Sequence, residues 1–255
     1  MILSGSIRDM DSVRVLGLRV DRISMADTLD RIEGFIKERT APRHLVTADA
    51  SMVVTARQDP ELAKIVNAAD LVTADGAGIL WHARFLGRPI ANKVSGVDLV
   101  SELCRLSAMH GYRIYFLGAA PGVADEAAAN LRAQYPGAQI VGTHDGYFSA
   151  DQDDSVVDEI RALKPDVLFV AFGIPKQEKW IDRHKEALNV PVSAGIGGSF
   201  DVYSGRVKRA PAIMQKHGWE WLYRLWSNPK KIAKVKTLPT FALLTIRERF
   251  VGSTR

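Results

Sequence analysis

The sequence has very little cysteine and no long apolar segment. Cys104 is the only cysteine among 255 residues, which excludes a disulfide framework and a cysteine-rich zinc site. No apolar run approaches the ~18 residues of a membrane-spanning helix, and residues 1–14 lack the apolar core of a signal peptide. With 47% hydrophobic and 25% charged residues, the composition is that of a globular chain. We therefore expect a folded protein of a reducing, cytoplasmic compartment.

The common motifs for nucleotide phosphates and metal ions are also missing. No Walker A pattern occurs and no G-x-G-x-x-G follows a predicted strand; residues 195–198 come nearest but lack the spacing. The histidines show no zinc-binding spacing. The acidic run at 151–154 opens a predicted helix, where acidic residues favour the helix dipole. The sequence therefore disfavours a nicotinamide-dependent dehydrogenase or epimerase, and it predicts no metal site and no cofactor.

Acidic residues are scarce at the C-terminal end of the chain. Residues 206–255 contain 12 Lys and Arg but only 2 Asp and Glu, whereas residues 1–205 contain 22 basic and 27 acidic residues. A basic patch attracts phospholipid, nucleic acid or a phosphorylated ligand, unless it is only a solvated helical face. Trp219, Tyr223 and Trp226 lie at helical spacing before a lysine cluster. This combination is typical of an interfacial helix, although such stripes also occur in protein cores.

Apolar segments alternate with amphipathic ones between residues 13 and 196. Strands that alternate with helices of ten to fifteen residues indicate βαβ units and a mostly parallel sheet. After Gly198 the pattern is helical throughout. We predict an α/β fold with a Rossmann-like core (1–205) and a basic, all-helical appendage (206–255). The predicted strands are Val13–Val20, His44–Ala48, Leu71–Ala74, Arg113–Leu117, Gln139–Gly142, Val167–Phe172 and Val190–Ile196.

Residues just after the predicted strands are candidates for ligand binding. In an open α/β sheet, ligands bind beyond the carboxyl ends of the strands. Several of these loops are rich in glycine and polar residues, such as the turn that begins at Gly118, and glycine lets backbone N–H groups approach an anion. Asp75 follows a strand directly and precedes a glycine. It could act as a general base, or it could cap the helix that follows.

Three further side chains have a functional and a structural interpretation. Gln177 begins a helix beside Lys176, so it could meet an anion at the helix N-terminus or belong to an ordinary exposed first turn. Tyr147 offers a ring on which a nucleobase could stack, or it could be buried as aromatic residues commonly are. Asp201 could accept hydrogen bonds from a ribose or a base, or it could be a turn residue.

Seven stretches together resemble the WecG/TagA/CpsF family of glycosyltransferases (glycosyltransferase family 26). They cover most of residues 45–235, and the combination of GIPKQEKW with GGSFDVYSGRVKRAP is specific to this family. The stretches are TADGAGILWHARFLG, VSGVDL, FLGAAPGVADEAA, YPGAQIVGTHDGYF, KPDVLFVAFGIPKQEKWI, GIGGSFDVYSGRVKRAP and GWEWLYRLWSNPKK.

The resemblance implies an inverting, metal-independent transfer of a sugar from a UDP-sugar to a polyprenyl-diphosphate-linked acceptor, in bacterial surface or exopolysaccharide synthesis. It implies a Rossmann-like core and a C-terminal appendage that contacts the inner face of the cell membrane and completes the site. N-acetylmannosamine, its uronic acid and glucuronic acid all fit the family. Homo-oligomer formation is left open, and no nucleic-acid partner is implied.

The resemblance also assigns roles to single residues. The strand-tip aspartate proposed as general base falls on Asp75. Gln177, Tyr147 and Asp201 resemble nucleotide contacts, and His144 lies at a further nucleotide-facing position. The other predicted substrate-binding residues of the core are Thr47, Gly118 and Arg209. The chain departs from the family pattern at Asp49, where asparagine is usual, and at Lys93, where arginine is usual. In the appendage Arg224 is retained, while Lys231 and Lys234 stand where the pattern has arginine. Lysine keeps the charge but loses the bidentate fork that suits a diphosphate.

A non-catalytic nucleotide or nucleic-acid binder would use the same glycine-rich loops and the same basic segment. Its binding to DNA or RNA would weaken steeply with salt. Against it, residues 1–205 are net acidic, and the aromatic residues are not interleaved with basic ones as stacking platforms require.

Overall fold

A six-stranded parallel sheet forms the centre of the fold. The computed structural model describes residues 11–211, 213, 214, 220, 223 and 232–251, of which residues 232–236 are described by their backbone alone. The strand order in the sheet is β4-β3-β8-β7-β5-β6, and an antiparallel hairpin, β1-β2, stands apart. The strands are β1 Ser12–Val15, β2 Leu18–Asp21, β3 Arg43–Ala48, β4 Leu71–Ala74, β5 Arg113–Gly118, β6 Gln139–His144, β7 Val167–Ala171 and β8 Val192–Gly195. The predicted α/β fold is confirmed.

Helices connect successive strands and cover both faces of the sheet. They are α1 Met25–Glu38, α2 Ala50–Ala56, α3 Pro60–Ala68, α4 Ala77–Phe85, α5 Gly96–His110, α6 Val123–Gln134, α7 Asp153–Leu163, α8 Lys176–Leu188, α9 Ser199–Tyr203 and α10 Ile232–Val251. A short 3₁₀ turn, Ala150–Gln152, precedes α7. The acidic residues of this region lie at a helix start, as the sequence predicts, and Asp153 accepts a hydrogen bond from the Trp180 indole.

Alternate residues of the inner strands pack on opposite faces because a strand points successive side chains to opposite sides. On β5, Phe116 lies in the apolar cluster formed with α1, α5 and α6, while Tyr115 and Leu117 lie in the cluster formed with α7 and α8. All five residues of β7 are buried. Burial on both faces explains why the strands of this sheet appear in the sequence as continuous apolar runs.

The first predicted strand, Val13–Val20, is wrong: the segment is a hairpin. Leu16 and Gly17 both have positive φ, 50° and 98°, and they connect β1 to β2. A two-residue turn with positive φ at both positions matches the twist of the flanking strands. Gly17 indicates a turn, but the apolar residues on both sides of it favoured the prediction of one continuous strand. Helix α2 was also not predicted, because Asp49 caps it directly after β3 without an intervening loop.

The hairpin covers the free edge of β4. Asp21 of β2 is buried and accepts a hydrogen bond from the Val72 N–H of β4 at 2.8 Å, and it pairs with Arg19 at 3.1 Å. Further along β4, the Ala74 carbonyl accepts a hydrogen bond from the Val94 N–H at 2.9 Å. Groups from two neighbouring segments therefore bind the outward-facing backbone of this edge strand.

Helix α10 docks on α2 and α4 through a small apolar and polar contact. Phe241 of α10 is 2% exposed and packs in the cluster formed by the hairpin, α2, α3 and α4. His82 of α4 is also buried, and its Nδ1 lies 2.9 Å from the Thr245 hydroxyl oxygen. Its Nε2 lies 3.8 Å from a Glu248 carboxylate oxygen. Among the residues that the structure describes, no helix is both long and apolar enough to cross a membrane.

Because two histidines are buried, we expect the free energy of unfolding to fall in mild acid. Burial lowers the pKa of both His44 and His82 to about 4 from 6.5. Between these pH values the unfolded chain binds more protons than the folded one, so the free energy of unfolding falls as the pH falls from about 6.5 to about 4. Each histidine adds a slope of about 1.4 kcal/mol per pH unit.

Urea unfolding measured at several pH values checks this. We expect His44→Leu to lower the slope by up to about 1.4 kcal/mol per pH unit. Gln58→Leu, which replaces an exposed residue that does not titrate, serves as the control and should leave the slope unchanged. Equal slopes in His44→Leu and the wild type would contradict the prediction.

Candidate functional site

The carboxyl ends of all six strands meet at one edge of the sheet. Neighbouring strands lie about 4.8 Å apart, so this edge is about 24 Å long. Asp75 follows β4 at one end of it, and His144 ends β6 at the other. In the sheet, β7 and β5 are neighbours. The connection after β7 leads to β8 on one side, and the connection after β5 leads to β6 on the other side. Ligands of open α/β sheets bind at such a reversal, which here lies between β5 and β7.

Asp75 is held at the junction of β4 and the start of α5. Its own N–H donates to the Ala48 carbonyl at 2.8 Å. Its Oδ2 accepts a hydrogen bond from the Gly96 N–H at 3.1 Å, in the first turn of α5. The alternative that Asp75 caps the following helix is wrong, because Gly76 occupies the cap position of α4 and no side-chain cap bond is made there. The half-buried carboxylate is therefore positioned by an N–H group of the first turn of α5, which has no acceptor within its own helix.

Thr47 and Asp49 lie next to Asp75 on the neighbouring strand. Ala48 and Ala74 are paired in the sheet, so Asp49 and Asp75 occupy equivalent positions at the two strand tips. Asp49 caps α2 by accepting a hydrogen bond from the Met52 N–H at 2.8 Å. The buried Thr47 hydroxyl donates to the Gly195 carbonyl at 2.9 Å. Both side chains thus have structural partners, and their contact with a substrate stays a prediction.

Gln177 joins the loops that follow β7 and β8. It is 2% exposed, so the expectation of an ordinary exposed first turn is wrong. Its Oε1 accepts hydrogen bonds from the Gly173 N–H at 3.1 Å and the Gly197 N–H at 3.0 Å. Its Nε2 donates to Glu178 at 2.7 Å. A Cβ atom on Gly195 would lie 2.5 Å from this Nε2, so any larger residue there would displace the amide from its hydrogen bonds.

Gly118 lets β5 and β7 approach closely where the strand connections diverge. Its φ is +117°, and a Cβ atom there would lie 2.8 Å from the carbonyl carbon and oxygen of Ala171. The next residue, Ala119, donates its N–H to the same Ala171 carbonyl at 3.0 Å and accepts one from Gly146 at 2.9 Å. The loops after β5, β6 and β7 are therefore packed together, with backbone rather than side chains at the contact.

His144 and Tyr147 lie at the β6 end of the site. The Tyr147 side chain is 75% exposed, so the expectation that it is buried is wrong. Phe148 is the half-buried ring of this pair and packs edge-on against His144 and Phe172. The His144 Nδ1 lies 2.7 Å from the Asp145 carbonyl oxygen. Tyr147 thus presents an accessible ring next to packed aromatic side chains.

Two ion pairs attach the residues after α9 to the Asp75 end of the site. Arg209 Nη2 lies 2.5 Å from an oxygen of Asp98, which is in the first turn of α5. Lys93 Nζ lies 3.2 Å from an oxygen of Glu220. Asp201, in α9, is half-buried, and its backbone carbonyl accepts a hydrogen bond from the Val207 N–H at 2.9 Å. Lys93, Arg209 and Asp75 are therefore all anchored around the start of α5.

Asp98 and Glu220 pair with candidate site residues, and the sequence reasoning missed both of them. The pattern Ser95-x-x-Asp98 signals a helix start, and Ser95 does cap α5. The sequence gives no signal for the partner of Glu220, because 127 positions separate it from Lys93.

Arg224 and Lys231 lie outside the described residues, as does the side chain of Lys234. Among the described residues, no group of three or more His, Cys, Asp or Glu is arranged to hold a metal ion.

The comparison with known proteins agrees with the resemblance. Residues 13–255 match the model of the glycosyl transferase WecG/TagA/CpsF family. A protein of Staphylococcus aureus named N-acetylglucosaminyldiphosphoundecaprenol N-acetyl-beta-D-mannosaminyltransferase is 33% identical over 230 residues, 90% of each chain. A protein of the same name from Bacillus spizizenii is 34% identical over 203 residues, which are 80% of this chain and 78% of the relative.

Replacement of Gln177 tests whether it ties the two loops. Gln177→Met keeps the length of the side chain but leaves the Gly173 and Gly197 N–H groups without their acceptor. A buried donor without a partner costs about 1–3 kcal/mol. These two N–H groups are partly buried, so we take the lower end for each and expect the free energy of unfolding to fall by about 2 kcal/mol in urea titrations. Gln58→Met, at an exposed position, is the matched control and should change it by less than about 0.5 kcal/mol. A stable Gln177→Met protein that has lost nucleotide binding would instead make Gln177 a direct ligand contact.

Proposed function

The chain belongs to the WecG/TagA/CpsF family of glycosyltransferases, and from that premise we propose that it moves a sugar from a UDP-sugar to a polyprenyl-diphosphate-linked acceptor with inversion at the anomeric carbon. The observation that carries this proposal is the position of Asp75. A carboxylate lies at a strand tip, held by the first turn of α5, with Lys93 and Arg209 anchored around the same turn. This arrangement combines a proton acceptor with cations that suit a departing diphosphate.

The proposed reaction is a single displacement. Asp75 accepts the proton of the acceptor hydroxyl while the oxygen of that hydroxyl attacks the anomeric carbon. The bond from that carbon to the diphosphate oxygen breaks on the opposite face, and UDP leaves with the bonding electron pair. Lys93 and Arg209 then stabilise the negative charge that develops on the diphosphate. Arg224, Lys231 and Lys234 of the appendage are proposed to supply further positive charge.

The nucleotide is proposed to lie along the strand tips. Its base would stack on the accessible ring of Tyr147 near His144, and Asp201 would accept hydrogen bonds from the ribose or base. Its diphosphate would meet the backbone at Gly118 and at the loops joined by Gln177. The sugar would then reach toward Asp75. The length of the edge, about 24 Å, suits an extended donor that spans several strand tips. We propose that no metal is needed, because these cations and N–H groups take its place.

The relatives favour one sugar and one acceptor among those that the family allows. Their name describes transfer of an N-acetyl-beta-D-mannosaminyl group to N-acetylglucosaminyldiphosphoundecaprenol. We propose the same class of reaction here, in the synthesis of a bacterial cell-envelope polymer. N-acetylmannosaminuronic acid and glucuronic acid are the other sugars to test, since identity of about one third leaves room for a different donor.

We propose that residues 206–255 bring the enzyme to the cytoplasmic face of the membrane. Leu243, Ile246 and Phe250 lie at helical spacing on α10 and are exposed. On α4, against which α10 packs, Trp81 and Phe85 are also exposed, and their rings stack at 5.5 Å. Exposed apolar groups together with a basic segment are the features of an interfacial surface, to which anionic headgroups add about 1 kcal/mol per basic residue.

Replacement of Asp75 tests the proposed chemistry. With UDP-N-acetylmannosamine, a lipid-linked N-acetylglucosamine acceptor and a chelator present, we expect acceptor-dependent release of UDP. Asp75→Asn should lower kcat by about 10²- to 10⁴-fold, the range for loss of a general base. Binding of UDP should change little, because the amide keeps the size of the side chain. Asp154→Asn, at an exposed position of α7, is the matched control and should be as active as the wild type.

The outcomes separate the alternatives. Turnover that survives in Asp75→Asn would keep the enzyme class and remove Asp75 as the base. Nucleotide binding with no turnover on any of the three donors would favour a non-catalytic nucleotide binder.

Replacement of exposed apolar residues tests membrane association. Burial of one large apolar side chain contributes about 1.5–3 kcal/mol, so Phe250→Ser should weaken binding to vesicles of anionic phospholipid about tenfold or more in co-sedimentation. Met109→Ser, an exposed apolar residue at the far end of α5, is the control and should bind like the wild type. Point replacement is preferable to deletion of the segment, because deletion would also expose the surface that Phe241 covers. Equal binding of Phe250→Ser and wild type would reject α10 as the contact.

A further inference from the structure

The two acidic residues of the C-terminal segment both face the core. Residues 206–255 contain 12 basic residues, and their only acidic ones are Glu220 and Glu248. Glu220 pairs with Lys93, and Glu248 lies 3.8 Å from His82. A segment that only needed positive charge would gain nothing from these carboxylates. Their positions therefore indicate specific contacts with the core.

Lys93 is fixed close to the strand tip that carries Asp75. The residue after it, Val94, donates its N–H to Ala74 at 2.9 Å, and its carbonyl accepts a hydrogen bond from the Thr73 hydroxyl at 3.1 Å. Lys93 is thus anchored by its neighbour to the last residues of β4. Its ammonium group nevertheless pairs with a carboxylate that comes from the C-terminal segment.

The Lys93–Glu220 pair is accessible to a ligand. The two side chains are 22% and 18% exposed, and the pair is a single contact of 3.2 Å. A diphosphate that takes the place of the carboxylate keeps the ammonium group neutralised, because both ligands are anions that accept hydrogen bonds from it. If Lys93 binds the diphosphate, the Glu220 carboxylate would lie next to a second negatively charged group. Like charges at that distance repel, so the carboxylate and the diphosphate compete for Lys93.

We propose that Glu220 takes the place of the donor's diphosphate when no donor is bound. Its carboxylate then neutralises Lys93, and the diphosphate displaces it when the donor binds. This inference rests on the proposed function, in which Lys93 contacts the diphosphate. Displacement couples donor binding to release of residue 220 from the core.

A purely structural pair predicts a different result. If Glu220 only anchors the segment, its removal loosens the C-terminal part and weakens donor binding or leaves it unchanged. If Glu220 competes with the diphosphate, its removal strengthens the binding of ligands that carry a diphosphate and of no others.

The test is calorimetric titration of the full-length protein with UDP and, separately, with uridine. Glu220→Gln should bind UDP about two- to fivefold more tightly than the wild type, the range for a partly exposed ion pair. Uridine affinity should not change, because uridine has no diphosphate. Glu248→Gln removes the other carboxylate of the segment and is the matched control, with unchanged UDP affinity. In a Lys93→Gln background, Glu220→Gln should no longer strengthen UDP binding.

Each remaining outcome is decisive. Equal or weaker UDP binding by a folded Glu220→Gln protein overturns the proposal and leaves the proposed function intact. If Glu220→Gln does not fold, Glu220→Asp shortens the side chain by one methylene and should still bind UDP more tightly than the wild type. A wild type that binds neither UDP nor any UDP-sugar overturns the proposed function itself.

Discussion

The parallel sheet ends at its carboxyl edge in backbone groups that no further strand can bind, and the candidate site is built from the side chains that bind them. Gln177 accepts N–H groups from the loops after β7 and β8, and Thr47 donates to the last residue of β8. Asp75 accepts the Gly96 N–H at the start of α5. A buried polar group without a partner is costly, so these bonds fix the loops before any ligand arrives. Direct contact of these residues with a ligand stays a prediction.

The distance along the chain between these side chains and their hydrogen-bond partners explains which parts of the site could be predicted from the sequence. The apolar run of β7 and the alternation of strands with helices sufficed for the fold, because burial on both faces leaves a continuous signature. The position of Asp75 after β4 was likewise visible in the sequence. Its partner Gly96, 21 residues away, was not. The burial of Gln177 also could not be predicted, because it depends on a glycine of another loop, Gly197.

Local signals failed where the surrounding composition outweighed them. Gly17 marks the turn of the first hairpin, but apolar residues on both sides suggested one continuous strand. Tyr147 is an aromatic residue in a loop, and such residues are commonly buried, yet it is exposed while the adjacent Phe148 provides the packing. The charge imbalance of residues 206–255 was evident from composition. The contacts of Glu220 and Glu248 required the three-dimensional arrangement, because the sequence does not say which core residue each one meets.

The hairpin that covers β4 has a consequence for self-association. An edge strand with free N–H and C=O groups is a template on which another chain can add a strand, and such addition leads to aggregation. Here Asp21 binds the outward N–H of Val72 and Val94 binds the carbonyl of Ala74. At the opposite edge, Arg132 binds the Ile140 carbonyl of β6 at 2.6 Å. The polar groups at both margins of the sheet are thus partly occupied from within the chain, so copies of the chain are impeded from joining their sheets edge to edge.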